Sequence, residues 1–328
     1  MSDYSIAIRT LGKAGKKYQK LLDSIKNSSV SPVKVIVVLP EGYDPPKERL
    51  GYETFVYCAK SMIGQRIEAL KYIDTEYTLF FDDDIEFQPD FIGKLLSPLE
   101  KGLFDCSTGP LFSFFPHSIA GKIAGTLTAS VSCSLFRRNY YVKILRSGGW
   151  SYHTFDTTED RYYPTESFAW TCFAIRTDVM SDLHMEVEQK WLERFEYANG
   201  DDRVMAYKLI KKGYRACVVA NATYIHNDAK TAISENKIKE CQSRFCMYYM
   251  HSVFWHRFIH IPEKKILFRA MNRVCFSYWK CSMIVYCMIK FILSGGKDKR
   301  LVAFIEGTRE GKCFVRSNEY KKLDCSSD

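Results

Sequence analysis

Residues 77–86 read Tyr77-Thr78-Leu79-Phe80-Phe81-Asp82-Asp83-Asp84-Ile85-Glu86. A short, almost wholly apolar run that stops at three carboxylates predicts a strand buried on both faces, meeting polar surroundings at its end. Three adjacent carboxylates repel one another, so holding them together calls for a cation. Hard oxygen ligands suit Mg²⁺ or Mn²⁺. Alternate residues on an extended segment point the same way, which predicts that Asp82 and Asp84 share one site while Asp83 faces elsewhere, or that the roles are offset by one. The bland alternative is a solvated acidic turn. An EF-hand is excluded, because the glycine and terminal glutamate of that loop are missing.

Upstream, Ser5–Thr10 and Val33–Leu39 (VKVIVVL) read as two further strands, the second almost wholly β-branched. Between them Lys16–Lys26 carries Tyr18, Leu21, Leu22 and Ile25 at helical spacing. Residues 43–54 read as a loop and Ser61–Ile73 as a helix. Strand, helix, strand, helix, strand is an α/β pattern. In such sheets ligands bind beyond the carboxyl ends of the strands, where Asp82, Asp83 and Asp84 fall.

Downstream, Pro89–Leu99 reads as a helix. Residues 104–163 read as loops and short elements, and over residues 104–170 Trp150, His153, Asp156, Glu166 and Trp170 are candidates to line a ligand site or simply to pack. Ala169–Arg176 reads as a strand and Asp201–Lys212 as a helix ended by Gly213. Short strands at Ala216–Ala220 and Ala222–His226 follow. Gly200-Asp201-Asp202 opens that helix, so one carboxylate is either a cap or a general base able to take a hydroxyl proton. His226 is either a structural histidine or, as a neutral imidazole, a metal ligand.

The 328 residues are 46% hydrophobic and carry a net charge of +9, which favours an anionic partner. The 12 cysteines form no CxxC pair, so a zinc site is not expected. The polar N-terminus runs into a strand without a signal peptide, so a cytoplasmic protein is expected. From Lys237 aromatic and basic residues interleave. Residues 274–294 are apolar but interrupted by Lys280 and Lys290, which reads as a packing helix, as an interfacial helix with snorkelling lysines or, disfavoured by the two charges, as a spanning helix. Two domains are expected, 1–232 and 233–328.

Over residues 4–228 the chain resembles the family 2 glycosyltransferases of the GT-A fold, of the bacterial surface-glycan type. The resemblance rests on Thr10 after the first strand, Glu41-Gly42 after the second, Gln65-Arg66, the run YTLFFDDDIEF, and GDDRVMAYKLIKKGYRACVVANATYIH, which is similar to the family's "GED…R…GY…A…H" block. It implies a mixed α/β sheet flanked by helices, with a helical C-terminal extension. It implies that Asp82 and Asp84 frame a DxD motif, Asp84 being the direct metal ligand with Asp82 and His226. It implies Asp202 as catalytic base beside Asp201, and donor contacts from Thr10, Glu41, Arg66, Asp82 and Asp83. It further implies Mn²⁺ or Mg²⁺, a UDP-sugar donor, a glycan or lipid-linked acceptor, and inversion at the anomeric carbon; no nucleic acid is expected, because the basic residues lie among long apolar helices without a recognition motif. The protein would be cytoplasmic and peripheral on the inner face of an anionic membrane.

The turns Arg9-Thr10-Leu11-Gly12 and Leu39-Pro40-Glu41-Gly42 depart from the family's usual "PTYN" and "DDGS". No QxxRW motif is present, so a processive synthase is not expected. The competing readings are a haloacid-dehalogenase-like phosphatase, whose motif is also a strand followed by DxD, and a non-catalytic membrane-peripheral binding protein.

Overall fold

Tyr77–Asp82 forms a strand buried from its first residue to Phe81, in the middle of a mixed eight-stranded sheet. The structure is a computed structural model and describes residues 3–134, 139–197, 199–227 and 237–324. The expected boundary at 232/233 lies outside the described residues. The chain divides into two compact units. The first comprises Met1–Phe112, Thr154–Gln189 and Lys208–Thr231; the second comprises Ser113–His153, Lys190–Tyr207 and Ala232–Asp328.

The first unit opens with β1 (Tyr4–Arg9), α1 (Lys16–Lys26), β2 (Lys34–Pro40), β3 (Thr54–Cys58), α2 (Gly64–Leu70), β4 (Tyr77–Asp82), β5 (Ile85–Phe87), α3 (Phe91–Glu100) and β6 (Cys106–Thr108). Later come β10 (Tyr162–Pro164), β11 (Cys172–Arg176), α5 (Thr177–Asp182), β12 (Ala216–Val219) and β13 (Tyr224–His226). The helices α6 (Met185–Leu192) and α7 (Asp201–Lys211) each give residues to both units. The strand order is β10-β12-β6-β11-β4-β1-β2-β3, with β5 and β13 paired apart. β4, β1, β2 and β3 run parallel, and β11 runs antiparallel to β4 and β6. Ile6, Ile8, Val37, Leu39, Leu79 and Phe81 pack with Tyr18, Leu21 and Leu22 of α1 and Phe91, Ile92 and Leu95 of α3. On the opposite face Phe80 stacks on Phe173, with ring centroids 5.0 Å apart. The continuous apolar runs are what this double covering requires.

The second unit holds α4 (Ile119–Leu127) and a three-stranded sheet of β7 (Val131–Cys133), β9 (Trp150–Tyr152) and β8 (Val142–Ile144). After α8 (Lys237–Phe254) and a π-helical turn over Trp255–His260 come α9 (Ile266–Leu293), α10 (Arg300–Phe314) and α11 (Asn318–Asp324). Tyr248, Trp279, Met283, Cys287, Ala303 and Phe304 form the core between α8, α9 and α10. α10 approaches α8 closely: a Cβ on Gly307 would meet the Phe245 carbonyl oxygen at 2.5 Å.

Candidate functional site

Because β1, β2 and β4 are parallel, their carboxyl ends share one edge, which places Thr10, Glu41 and Asp82 together there. Asp82 accepts hydrogen bonds on one oxygen from Arg9 Nη2 at 3.0 Å and Arg66 Nη2 at 2.9 Å. Arg66 is buried; it also donates to the carbonyls of Trp170 at 2.8 Å and Met62 at 3.0 Å, and its guanidinium lies 4.4 Å from the Trp170 ring centroid. A buried arginine is tolerated when its donors are used and its charge is matched, and Asp82 supplies the match.

Asp83 takes a different partner. Thr10 Oγ1 donates to its carboxylate at 2.5 Å, and the Gly12 amide donates to Thr10 Oγ1 at 2.9 Å. Burial pushes the Asp83 carboxyl up to about 6, and the neighbouring charges of Asp82 and Asp84 push the same way, against the Thr10 hydrogen bond and Arg9. The raised value reports burial first, with the negative charge of Asp82 and Asp84 adding to it.

Asp84 takes a third partner. It is buried, and one of its carboxylate oxygens lies 3.3 Å from His226 Nε2. The topology accounts for the meeting: β13 pairs antiparallel with β5, setting His226 opposite Ile85, and the Asn227 amide donates to the Asp84 carbonyl at 2.8 Å. One carboxylate oxygen and one imidazole nitrogen form a donor pair that fits Mn²⁺ or Mg²⁺. Among the described residues no group of three or more His, Cys, Asp or Glu side chains is gathered as a metal site.

The expected alternation of Asp82 and Asp84 on one side is corrected. β4 ends at Asp82 and β5 begins at Ile85, so Asp83 and Asp84 lie in a turn, where the period of two no longer applies. Asp82 meets Arg9 of β1 and Arg66 of α2, Asp83 meets Thr10 just past β1, and Asp84 meets His226 of β13.

The structure thus brings together Thr10, Arg66, Asp82, Asp83, Asp84 and His226. Glu41 is exposed just past β2, where its amide donates to the Cys58 carbonyl at 2.8 Å. Nearby, Lys13 and Lys60 lie over the Tyr43 ring, 5.1 and 5.9 Å from its centroid. Asp201 and Asp202 belong to the second unit, in the first turn of α7. Asp202 accepts from the Arg203 amide at 2.6 Å, and Arg203 Nη1 donates to the Gly148 carbonyl at 3.2 Å. Gly200 before them has φ of 84°, and a Cβ there would strike the Met250 side chain.

Two residues lie outside the sequence assignment. Arg9 is the second partner of Asp82. Gln65, buried, donates to the carbonyls of Thr10 at 3.2 Å and Val38 at 2.8 Å, tying the ends of β1 and β2. The signal for Gln65 was its place beside Arg66 in a short helix; for Arg9, a cation at the end of a buried strand.

Residues 59–183 match the family described as Glycosyl transferase family 2. No curated protein matches the chain in sequence. Among solved structures, GalNAc-T7 with UDP, GalNAc and Mn²⁺ aligns with a TM-score of 0.53 and 11% identity, over 86% of this chain and 55% of that one. This chain therefore spans about half the length of that relative. The mannosyltransferase PcManGT of Pyrobaculum calidifontis, in complex with GDP-Man and Mn²⁺, aligns with a TM-score of 0.47 and 13% identity, over 100% of this chain and 86% of that one. Glucosyl-3-phosphoglycerate synthase of Mycobacterium tuberculosis aligns with a TM-score of 0.43 and 12% identity, over 75% and 78%.

Proposed function

We infer that this chain, a member of the family 2 glycosyltransferases with the GT-A fold, moves a sugar from a nucleotide-diphosphate donor to a hydroxyl of a glycan or lipid-linked acceptor. The observation that carries this reading is the meeting of Asp84 with His226 beside the Thr10–Asp83 hydrogen bond, at the carboxyl ends of β1 and β4. Asp84 and His226 would hold Mn²⁺ or Mg²⁺, with Asp82 of the DxD run close by. Such an ion, when bound, offsets the negative charge that develops on the departing nucleotide diphosphate.

The remaining roles belong to the chain itself. Arg9 and Arg66 fix Asp82, so the turn carrying Asp83 and Asp84 leaves β4 at a set place. Thr10 and Glu41, at the ends of β1 and β2, are assigned to the nucleoside. We take the donor to be a UDP-sugar, since the GalNAc-T7 structure that shares the fold was solved with UDP and Mn²⁺. Asp202, beside Asp201, is assigned as the base that takes the proton of the acceptor hydroxyl as it attacks the anomeric carbon, with inversion. The transferase domain is assigned to residues 1–232. Residues 233–328 are assigned to attachment, peripheral on the inner face of an anionic membrane.

The phosphatase reading asks the first aspartate of the run to act as nucleophile. Asp82 is instead clasped by two guanidiniums, which lower its nucleophilicity.

A thermal-shift screen of nucleotide diphosphates and their sugars, with and without Mn²⁺, tests this reading. One nucleotide should raise the melting temperature, and only when the ion is present. No response to any nucleotide would contradict it. Asp202→Asn should keep that response and lower transfer by about 10²–10⁴-fold; transfer at the wild-type rate would place the base elsewhere.

A further inference from the structure

α9 is apolar on its outer side as well as on the side it buries. Its inner side is fixed to the second unit by Asn272, Trp279, Met283 and Cys287, all buried. Arg146 donates to the Asn272 side chain at 2.7 Å, and Trp279 Nε1 donates to Ser130 Oγ at 3.1 Å. Its outer side presents Leu267, Val274, Tyr278, Val285, Ile289 and Ile292, each at least half exposed, over the whole length of 28 residues. At 3.6 residues per turn these six lie on one stripe, about 40 Å long, with no charged residue in it.

α4 repeats the pattern beside it. None of its nine residues is buried, and Ile119, Ile123 and Leu127, at spacing i, i+4, i+8, are 77%, 55% and 61% exposed. Its end is tied to the middle of α9: Tyr278 Oη donates to the Leu127 carbonyl at 2.7 Å and Ser282 Oγ to the Thr128 carbonyl at 3.4 Å.

The charge pattern selects the occupant. α9 contains Arg269, Arg273, Lys280 and Lys290 and no acidic residue. Arg269, Arg273 and Lys280, at spacing i, i+4, i+11, lie about 120–160° round the helix from the stripe, beside the buried side. Lys264 and Lys265 precede the helix; Lys297, Lys299 and Arg300 follow it, with Glu263 and Asp298 the only acids in those flanks. A second copy docked face to face would bring two cationic helices and their cationic flanks together. Anionic phosphate head groups over an apolar interior complement both the stripe and the cations of the helix and its flanks.

We propose that the outer face of α9, with the exposed edge of α4, docks on an anionic lipid bilayer as an interfacial contact that lies in the membrane plane and does not span it. Spanning is opposed by the polar anchorage of the inner side through Arg146 and Asn272, since a lipid-crossing helix is apolar all round. The proposal rests on the membrane-peripheral reading above and names the surface responsible.

Vesicle co-sedimentation of the full chain tests it, without donor or acceptor. Wild type should bind vesicles of phosphatidylcholine with about one-third phosphatidylglycerol much more tightly than pure phosphatidylcholine. The triple variant Val274→Asp/Val285→Asp/Ile292→Asp should lose at least about tenfold in binding while its melting temperature holds, because all three side chains are exposed. Ile123→Asp should lose less, and Arg273→Glu/Lys280→Glu should remove the preference for the anionic lipid. If wild type ignores both vesicles, the peripheral reading itself falls. If wild type binds and the triple variant binds equally, the surface lies elsewhere. A wild-type dimer by light scattering that the triple variant dissociates would make this face an interface between copies and overturn the proposal.

Discussion

β4 and α9 are both apolar runs with few interruptions, yet they meet opposite surroundings. In β4 the apolar residues are covered on both faces of the sheet, and charge appears only at Asp82, where the chain leaves it. In α9 polar and cationic groups anchor and edge the inner side, while the uncharged stripe faces outward. Hydrophobicity alone therefore says nothing about where a segment sits. What separates the two is the placement of charge: gathered at the end of a strand in one case, strung along the edges of a helix in the other.

Equal truncations should break the likeness most sharply. Phe80→Ala removes a ring stacked on Phe173 inside the sheet and should cost about 3–5 kcal/mol. Val285→Ala, 55% exposed on α9, should stay within about 0.5 kcal/mol. Urea titrations of both variants compare them directly; a similar loss in each would mean that α9 is covered as β4 is.

The inner side of α9 offers an effect of intermediate size. His251 is buried, stacks on Trp279 with centroids 3.9 Å apart, donates from Nε2 to the Ser147 carbonyl at 2.9 Å, and meets Arg203 at Nδ1 at 3.4 Å. Burial, aided by the Arg203 charge, pushes its value down to about 3. Below pH 6.5 the unfolded chain takes up a proton that the folded chain refuses. Stability from this group is thus complete above pH 6.5 and is lost progressively as pH falls toward 3, amounting to roughly 2 kcal/mol by pH 5. His251→Gln should remove that increment, so urea unfolding at pH 7 and pH 5 should show a smaller drop in the variant than in wild type. Equal drops would place the acid sensitivity on other groups.

Much of the sheet could be read from residues alone. β1, α1, β2 and β4 were legible because continuous apolar runs or helical spacing were bounded by turns. β3 was not, because its five residues form an edge strand only partly buried, with a weak apolar pattern. Residues 104–163 gave little, because β6 to β10 are three residues each, too short to show a period. At the site, the residue types were legible and the pairings were not. Arg9 meets Asp82 across 73 residues and Arg66 meets the Trp170 carbonyl across 104, contacts that only the folded topology creates. The separation of the three aspartates onto three partners came from a turn where an extended segment had been expected.

The most direct test of the central claim is nucleotide binding by calorimetry, with and without Mn²⁺, for wild type and Asp84→Ala. Wild type should bind the nucleotide diphosphate selected by the screen more tightly with the ion than without it, and Asp84→Ala should show one weak affinity in both conditions. An ion-dependent gain that survives unchanged in Asp84→Ala would contradict the assignment.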